Sequence, residues 1–409
     1  MKQKQVIIVG GGASGLVAAI TAAREGAKVI LIEQKDRLGK KILSTGNGKC
    51  NLTNEYMDLS CFRSDDMSIV KNVLDVFGFE ATMKFFDELG VLLKNRQGYI
   101  YPLSEQATTI VDVLVMEVNR LGIHVLLEES VKHISSTKKG YLIQTSKQAL
   151  VADSVILATG GKAAPVLGSD GSGYSIAKKF GHHLSPVVPA LVQLKGKGNF
   201  FKQVSGVRTQ AKVAAYVDGN FCSCDTGELQ LTNYGISGIP VFQISRYVSK
   251  ALYEKKKVSV EVDFLPSMSD REFAEFLENR VKCHGDKVAA DFFTGIFHQK
   301  LIGLFLKISR IGAQVPAKEI TKEQLQLFIK VCKHFFVDIE GTNDFDQAQI
   351  CAGGIKTTEI NPDTMESLFA NNLYLTGELL DVDGICGGYN LQWAWATGFI
   401  AGKHAAKGK

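Results

Sequence analysis

Near the N-terminus, two short apolar segments flank a longer segment whose apolar residues recur at helical spacing. Gln5–Val9 is rich in β-branched residues and stops at a glycine, which is typical of a buried strand. Ala13–Arg24 has the periodicity of a helix, and Lys28–Ile32 is a second apolar run. The pattern predicts a strand, a glycine turn, a helix and a second strand in succession.

Two later segments show the same buried-strand pattern. Residues 153–161 (DSVILATGG) form an apolar run that ends in Thr159 and two glycines. Residues 373–402 begin with another apolar run, continue through an acidic, glycine-rich loop and end in a helix predicted from Asn390. We expect both segments to return to the fold that begins at the N-terminus.

The middle of the chain has a different texture. Residues 212–217 and 220–224 flank an Asp218-Gly219 turn, which predicts a β-hairpin. Short strands are expected to continue as far as Phe264. This part of the chain is therefore predicted to be rich in β structure.

Helices are predicted to follow these strands. Ser269 with Glu272 forms a capping-box pattern, and Thr321 with Gln324 forms a second one. Apolar residues between the two patterns recur mostly at helical spacing. The segment is therefore expected to be largely helical.

The predicted organisation is an α/β dinucleotide-binding fold that is interrupted by an insertion. Residues 1–189 and 351–409 form its two parts, residues 190–265 a β-rich insert and residues 266–350 a helical insert. We expect the insertion to cover the nucleotide and to form the wall of the substrate site.

A glycine motif lies between the first predicted strand and helix. Gly10, Gly12 and Gly15 form G-x-G-x-x-G, in which absent side chains permit a tight turn, backbone contact with pyrophosphate and close helix–strand packing. Glu33 ends the second strand eighteen positions after Gly15, close to the ~20 positions expected of a ribose-binding carboxylate. The motif predicts a dinucleotide site and leaves NAD and FAD both open.

Further segments favour FAD. Residues 39–54 (GKKILSTGNGKCNLTN) form a glycine- and amide-rich loop directly after the ribose carboxylate, and such a loop can lie flat against a large planar ligand. The helix predicted from Asn390 can direct its N-terminus at the negative charge of a reduced flavin.

Composition and charge exclude several classes of partner. The chain has 409 residues, 45% of them hydrophobic, and a net charge of +5. The cations are dispersed, and the densest run, at 255–257, is typical of a solvated turn. No nucleic-acid partner is expected.

Membrane insertion is not expected either. The apolar stretch at 6–23 is broken by three consecutive glycines, and no later run reaches the roughly 20 apolar residues of a membrane-spanning helix. The protein is expected to be cytoplasmic.

The cysteines indicate neither a metal site nor a dithiol relay. The eight cysteines form no CxxC pair and have no histidine at zinc spacing. Cys50 lies beside the predicted flavin loop, but Glu55 stands where a glutathione-reductase-like enzyme has its second cysteine. We expect Cys50 to be a small buried residue.

Several motifs together resemble the BaiN/RdsA family of flavoproteins, also described as YhiN-like or aminoacetone-oxidase-type. The resemblance runs nearly end to end. It is carried by residues 10–16 (GGGASGL), 39–54, 159–174 (TGGKAAPVLGSDGSGY), 233–240 (NYGISGIP), 351–367 and 376–398. It implies a two-dinucleotide-binding-domain fold of the Rossmann type, with non-covalently bound FAD.

The glycine motif and this resemblance together give a set of predicted cofactor-binding residues. They are Gly10, Gly12, Ala13, Ser14, Gly15, Glu33, Gln34, Lys40, Lys41, Ser44, Gly46, Gly48, Asn51, Val131, Ala158, Thr159, Gly160, Gly161, Gly377, Glu378, Asp383, Gly388, Asn390 and Leu391.

A catalytic acid or base is not obligatory, because the flavin itself transfers the electrons. Tyr234 is the one side chain that we single out as a polar active-site group, and an ordinary packed or surface tyrosine is its alternative. His182 and His183, which follow Gly181 and precede a predicted strand, are interpreted as a solvated cap and not as catalytic groups.

The predicted function is flavin-mediated hydride transfer to or from a small or medium organic substrate. One form is reduction of an activated double bond by NADH or NADPH, and another is oxidation of an amine or alcohol by oxygen. An FAD-holding redox sensor or an RNA-modification module is the alternative from another class. A second strand-linked G-x-G-x-x-G is missing, so NADH or NADPH is expected to enter the flavin cavity itself. The substrate and the oligomeric state stay open.

Overall fold

The computed structural model describes residues 3–407. The strands are β1 (Gln5–Val9), β2 (Lys28–Ile32), β3 (Thr53–Asn54), β4 (Phe62–Arg63), β5 (Leu93–Arg96), β6 (Tyr99–Pro102), β7 (His124–Leu126), β8 (Val131–Thr137), β9 (Gly140–Thr145), β10 (Ala149–Ala152), β11 (Ser154–Leu157), β12 (Val188–Ala190), β13 (Leu194–Gly196), β14 (Arg208–Val217), β15 (Asn220–Leu231), β16 (Gly235–Gly238), β17 (Val258–Asp263), β18 (Phe335–Thr342), β19 (Ile350–Ala352), β20 (Leu373–Leu375) and β21 (Asp383–Gly384). The α-helices are α1 (Ala13–Arg24), α2 (Met67–Val76), α3 (Phe79–Glu88), α4 (Ala107–Arg120), α5 (Ser172–Lys179), α6 (Phe201–Val204), α7 (Ile239–Tyr253), α8 (Asp270–His284), α9 (Ala289–Phe292), α10 (Gln299–Ile308), α11 (Lys322–Lys333) and α12 (Tyr389–Lys407).

The chain divides into two compact units. The first runs to Val187 and resumes at Gln349, and the second is Val188–Ala348. Both boundaries lie two residues earlier than the sequence pattern predicts.

The first unit is built on a parallel sheet with strand order β20-β11-β1-β2-β7. Strand β1 pairs with β2 on one side and with β11 on the other. Side chains on both faces of β1 are buried, which explains why Gln5–Val9 is apolar without alternation. The predicted strand–helix–strand unit and the return of residues 153–161 and 373–402 to the same sheet are confirmed.

Helices α1 and α12 pack against each other through glycine. A Cβ atom on Gly398 would lie 2.3 Å from the carbonyl oxygen of Ser14, and one on Gly402 would lie 2.5 Å from that of Ala18. Helix α12 starts one residue before the predicted Asn390 and buries Trp393 and Trp395.

The second unit is built on a closed barrel with strand order β13-β16-β15-β14-β17-β18. The predicted hairpin is confirmed as β14 and β15, which are longer than expected at both outer ends. Asp218 and Gly219 turn between them with φ of 48° and 81°, the left-handed conformation that a two-residue hairpin turn requires. Helices α8, α10 and α11 bury a cluster of phenylalanine side chains, among them Phe273, Phe305 and Phe328.

Two features of this unit differ from the prediction. The run of short strands expected up to Phe264 is interrupted by α7, which starts with Pro240 in its first turn and then buries Val241, Ile244 and Val248 at helical spacing. Strand β18, which lies in the predicted helical insert, pairs with β17 and β13. One barrel therefore spans both predicted inserts, and no domain boundary separates residues 265 and 266.

The sequence signals for the starts of two helices are confirmed. Ser269 with Glu272 and Thr321 with Gln324 form reciprocal capping boxes at the starts of α8 and α11.

Within residues 3–407, no helix has the length and apolar character needed to cross a bilayer.

Candidate cofactor site

The three glycines of the first turn have different structural surroundings. Gly10 has a φ of 106°, and a Cβ atom there would lie 2.4 Å from the carbonyl oxygen of Ala158. A Cβ atom on Gly15 would lie 1.9 Å from the carbonyl oxygen of Gly10. A Cβ atom on Gly12 would meet nothing within 4 Å, because this residue borders a cavity. Gly10 and Gly15 are thus required for packing, whereas the missing side chain of Gly12 leaves space in the cavity.

Helix α1 starts at this wall without a side-chain cap. Its N-cap is Gly12, and no side chain accepts a hydrogen bond from the first-turn N–H groups. Such N–H groups and the helix dipole form a site for an anion, above all a phosphate.

The carboxylate of Glu33 is held at the end of β2. Its Oε2 accepts a hydrogen bond from the N–H of Gly11 at 2.8 Å, and its Oε1 accepts one from the N–H of Lys35 at 2.8 Å. The neighbouring Gln34 donates through Nε2 to the carbonyl oxygen of Gly168 at 2.7 Å. Both side chains border the same cavity as Gly12.

Most of the predicted cofactor-binding residues line this one cavity. Those that do so are Gly10, Gly12, Ala13, Ser14, Glu33, Gln34, Lys40, Lys41, Val131, Ala158, Thr159, Gly160, Glu378, Asn390 and Leu391. They come from both ends of the sequence, because the parallel sheet brings the carboxyl ends of β1, β2, β11 and β20 to one edge.

Other predicted residues lie behind the lining or away from it. These are Gly15, Ser44, Gly46, Gly48, Asn51, Gly161, Gly377, Asp383 and Gly388. Several shape the backbone: Gly46 and Gly48 have φ of 55° and 83°, and Gly377 has a φ of 65°.

An ion pair lies at the cavity wall and joins distant parts of the chain. The Nζ atom of Lys41 is 2.8 Å from Oε2 of Glu378, and both side chains are only about one-fifth exposed, at 23% and 20%. The other carboxylate oxygen, Oε1, accepts a hydrogen bond from the N–H of Cys351 at 2.7 Å. Glu378 thereby connects the loop after β20 to the loop after β2.

The start of α12 is tied to the acidic loop that precedes it. Asn390 accepts a hydrogen bond from the N–H of Gly384 at 2.8 Å and donates one to its carbonyl oxygen at 2.9 Å. Trp393 donates through Nε1 to the carbonyl oxygen of Gly377 at 3.1 Å. The helix N-terminus is therefore held at the cavity, where Asn390 and Leu391 line the wall.

The structure also adds lining residues that are not in the predicted cofactor-binding set. They are Val9, Gly11, Ile32, Ile42, Thr45, Glu129, Ser130, Lys132, Leu167, Gly168, Ser169, Asp170, Ser172, Ile176, Gln349, Ile350, Val382, Trp393 and Ala394. Many of them stand next to a predicted residue in the sequence. Gln349 and Ile350 carry no local signal, because they lie where the chain re-enters the first unit.

Cys50 is completely buried, as predicted. Burial raises the pKa of its thiol to about 12, against a smaller lowering by a hydrogen bond with Thr45. The group is therefore a protonated thiol at neutral pH, and it has a packing role. No group of three or more His, Cys, Asp or Glu side chains in the described chain is arranged to hold a metal ion.

The prediction for His182 is wrong. Its ring is buried, with Nε2 2.8 Å from Oγ of Ser367 and Nδ1 3.2 Å from Oε2 of Glu359. His183 is solvated, with 71% of its side chain exposed, and also pairs with Glu359. The partners of His182 lie far along the chain, so no local pattern could indicate them.

Tyr234 belongs to the second unit and is not among the cavity-lining residues. Its hydroxyl accepts a hydrogen bond from Nδ2 of Asn343 at 2.9 Å, and the residue is 38% exposed. Its proposed catalytic role stays a prediction.

Comparison with known proteins places this geometry in a family. Residues 4–404 match the model of the HI0933-like protein Rossmann domain. The chain belongs to the HI0933-like family. The BaiN/RdsA-type resemblance and the Rossmann-type fold that the sequence predicts are both confirmed.

Relatives of the HI0933-like chain match it along nearly its whole length. It is 53% identical over 406 residues to the 3-dehydro-bile acid delta(4,6)-reductase of Clostridium scindens, with 98% of each sequence covered. It is 29% identical over 401 residues to the ribosomal RNA dihydrouridine synthase of Haemophilus influenzae, with 96% of each covered.

A solved structure shares its fold. The 3-ketosteroid delta1-dehydrogenase of Sterolibacterium denitrificans superposes with a TM-score of 0.51 at 12% identity, over 99% of this chain and 100% of that one. At such identity the likeness concerns the fold alone.

Proposed function

We propose that this HI0933-like protein is an FAD-dependent oxidoreductase that reduces a carbon–carbon double bond conjugated to a carbonyl group, in a substrate related to a 3-oxo steroid. The observation that carries the proposal is the cavity in which the uncapped N-terminus of α1, the carboxylate of Glu33 and the N-terminus of α12 meet.

The residues around this cavity fit FAD. The N–H groups at the start of α1 suit the pyrophosphate, and the open space beside Gly12 leaves room for it. The carboxylate of Glu33 suits the ribose hydroxyls. When bound, FAD supplies two-electron chemistry by accepting and returning a hydride.

The chain's own groups then set the electrostatic environment of the bound cofactor. The N-terminus of α12, held by Asn390, offers partial positive charge to an electron-rich ring. Lys41 adds a full positive charge that Glu378 balances within the cavity wall. The partial positive charge at the N-terminus of α12 favours a ligand whose negative charge grows during reduction.

The direction of the reaction is supported by the relatives. The names of both relatives denote saturation of a carbon–carbon double bond, in a bile acid or in uridine. In a 3-oxo steroid with a double bond at position 4, that bond is conjugated to the carbonyl, and hydride addition at the far carbon is then electronically favoured. The 53% identity favours the steroid over the nucleoside.

Anaerobic single-turnover experiments test the proposal. The purified protein should be yellow and release intact FAD on acid treatment. NADH or NADPH should bleach it, and a 3-oxo-4,6-diene steroid should restore the colour with a product two mass units heavier. A protein without flavin would refute the cofactor, and oxygen consumption with an amine but no bleaching would favour an oxidase.

Ribosomal RNA is the second candidate substrate, because one relative carries that name at 29% identity. Incubation of the reduced protein with RNA, followed by mass spectrometry of the nucleosides, tests it. Formation of dihydrouridine at a rate above that of steroid reduction would replace the first candidate.

A further inference from the structure

One face of the β5–β6 hairpin, in the first unit, combines apolar and cationic side chains. The strands pair Lys94 with Tyr101 and Arg96 with Tyr99. Directly opposed residues of an antiparallel pair point to the same side, so these four side chains share a face. The alternate residue Ile100 is buried on the other side.

Two leucines extend this face beyond the strand ends. The N–H of Leu103 donates to the carbonyl oxygen of Leu92 at 2.7 Å, which continues the pairing by one step. Leu92 is 68% exposed, Leu103 53% and Tyr99 43%. We call the six residues Leu92, Lys94, Arg96, Tyr99, Tyr101 and Leu103 the hairpin face.

Positive charge is in excess along this face. A single carboxylate, Glu105, contacts Lys94 at 3.1 Å, Arg96 at 2.6 Å and Lys49 at 3.4 Å. Three cations around one anion leave two positive charges without a balancing charge in the cluster. Lys94 and Arg96 keep 40% and 46% of their side chains exposed, so they can bind an anion from solvent.

The hairpin face adjoins the candidate cofactor site through one loop. Thr45 lines the cavity, and Gly46 follows it. A Cβ atom on Gly46 would lie 3.8 Å from Cε1 of Tyr101, and Lys49 donates through its N–H to the carbonyl oxygen of Gly46 at 3.2 Å. A ligand that extends out of the cavity past this loop would meet the face.

We propose that the hairpin face binds the carboxylate-bearing end of an amphipathic substrate whose fused-ring end reaches the flavin bound in the cavity. The inference rests on the proposed function and specifies its substrate as an acid. Lys94 and Arg96 bind the carboxylate, while Tyr99, Leu92 and Leu103 cover the apolar body next to it.

A small amphipathic acid fits this face better than an RNA does. The paired strands span only about 13 Å, whereas a nucleic-acid surface follows the phosphate chain over many cations. Exposed leucines have no role against a phosphate backbone. Glu105 stands among the cations and would repel a chain of phosphates more than one carboxylate.

Calorimetry on the FAD-loaded protein tests this with a 3-oxo-4-ene steroid carboxylic acid and its methyl ester. We expect the acid to bind about fivefold more tightly than the ester. The double variant Lys94→Gln, Arg96→Gln should bring the ratio of the two Kd values to one. Glu105→Gln should increase the preference for the acid, because it removes a carboxylate that competes for the same cations.

Lys139→Gln is the matched control, since Lys139 is an exposed cation in the turn between β8 and β9. It should leave the ratio unchanged. Equal binding of acid and ester by the wild type, or a ratio that the double variant does not alter, overturns the inference. Loss of RNA retention in a gel-shift assay of the double variant, without any acid preference, assigns the face to nucleic acid instead.

The proposed function is tested separately, by measuring turnover of the methyl ester by the wild-type protein. Turnover of the ester without acid preference refutes the hairpin face alone. An acid preference in binding without turnover of either compound refutes the reductase alone.

Discussion

Single residues around the cavity divide into those that hold the fold and those that keep space open. Gly15 lies against the carbonyl oxygen of Gly10, so any side chain there would push helix α1 off the sheet. Gly12 has open space at its Cβ position and a φ of −83°, which every residue adopts. The same motif therefore contains a glycine that is needed for packing and a glycine that borders the cavity, and mutation can separate the two roles.

We expect Gly12→Val to fold and to lose FAD. Its two methyl groups would enter the cavity where the N–H groups of α1 point, and FAD content after purification should fall at least about tenfold. The melting temperature of the flavin-free variant should match that of the flavin-free wild type.

Gly15→Ala is the contrasting variant. Its Cβ atom would sit 1.9 Å from a backbone oxygen, and it should cost about 3 kcal/mol of unfolding free energy or prevent expression. Full FAD retention in Gly12→Val, or normal stability in Gly15→Ala, would contradict this division.

Contacts between elements determine whether replacing a helical glycine with alanine raises or lowers the free energy of unfolding. Alanine is favoured over glycine in a helix interior by about 1 kcal/mol. Gly398 and Gly402 of α12, however, lie against backbone atoms of α1, whereas Gly303 of α10 has nothing within 4 Å of its Cβ position. Identical substitutions are thus expected to have opposite effects.

Gly402→Ala should therefore destabilise the protein, although alanine is the better helix former. A Cβ atom 2.5 Å from the carbonyl oxygen of Ala18 forces the two helices apart, and we expect a cost of about 2 kcal/mol. Gly303→Ala should stabilise by about 0.5–1 kcal/mol. Thermal unfolding followed by circular dichroism measures both, and a shift of the same sign in both variants would refute the packing argument.

His334 joins three elements of the second unit and has a pH-dependent contribution. It follows α11, with Nδ1 2.5 Å from Oε1 of Glu261 on β17 and Nε2 3.0 Å from Oδ2 of Asp270 at the start of α8. The hydrogen bond with Glu261 is the largest cause of the raised pKa of His334, and Asp270 adds to it. Its stabilisation is fully present below the unfolded pKa of about 6.5 and is lost as pH rises through the higher folded pKa.

His334→Gln should accordingly lower the melting temperature at pH 6 more than at pH 9. The ring is 42% exposed, so screening limits the effect to about 0.5–1 kcal/mol. His284→Gln, which changes an exposed histidine of the same unit, is the control. A difference that is constant across this pH range would show that the ion pairs with Glu261 and Asp270 contribute nothing.

At the scale of the whole molecule, the order of binding is the property to test. The sequence contains one strand-linked G-x-G-x-x-G, at 10–15, and a donor nicotinamide is proposed to occupy the same position at the flavin as the substrate. Donor and acceptor then exclude each other, which predicts ping-pong kinetics with parallel lines in double-reciprocal plots. The oxidised nicotinamide should compete with the steroid, and intersecting lines would reveal a separate nicotinamide site.

The sequence by itself determined the local elements and the backbone arrangement of the first turn. The strand at 5–9, the helix at 13–24, the capping boxes and the Asp218-Gly219 turn are confirmed because period, caps and turn residues act within a few positions. The glycine motif and Glu33 could be assigned to one site because strand, turn and helix are consecutive.

Only the tertiary structure decided which distant residues meet. The closure of the barrel by β18, the Lys41–Glu378 ion pair and the burial of His182 on Glu359 all join positions far apart in the chain. A local pattern reports the period and propensity of one segment and carries no information about its partner. Which distant residues pair depends on packing and charge in three dimensions. The hairpin face is one example, because the pairing of β5 with β6 brings its side chains to one side.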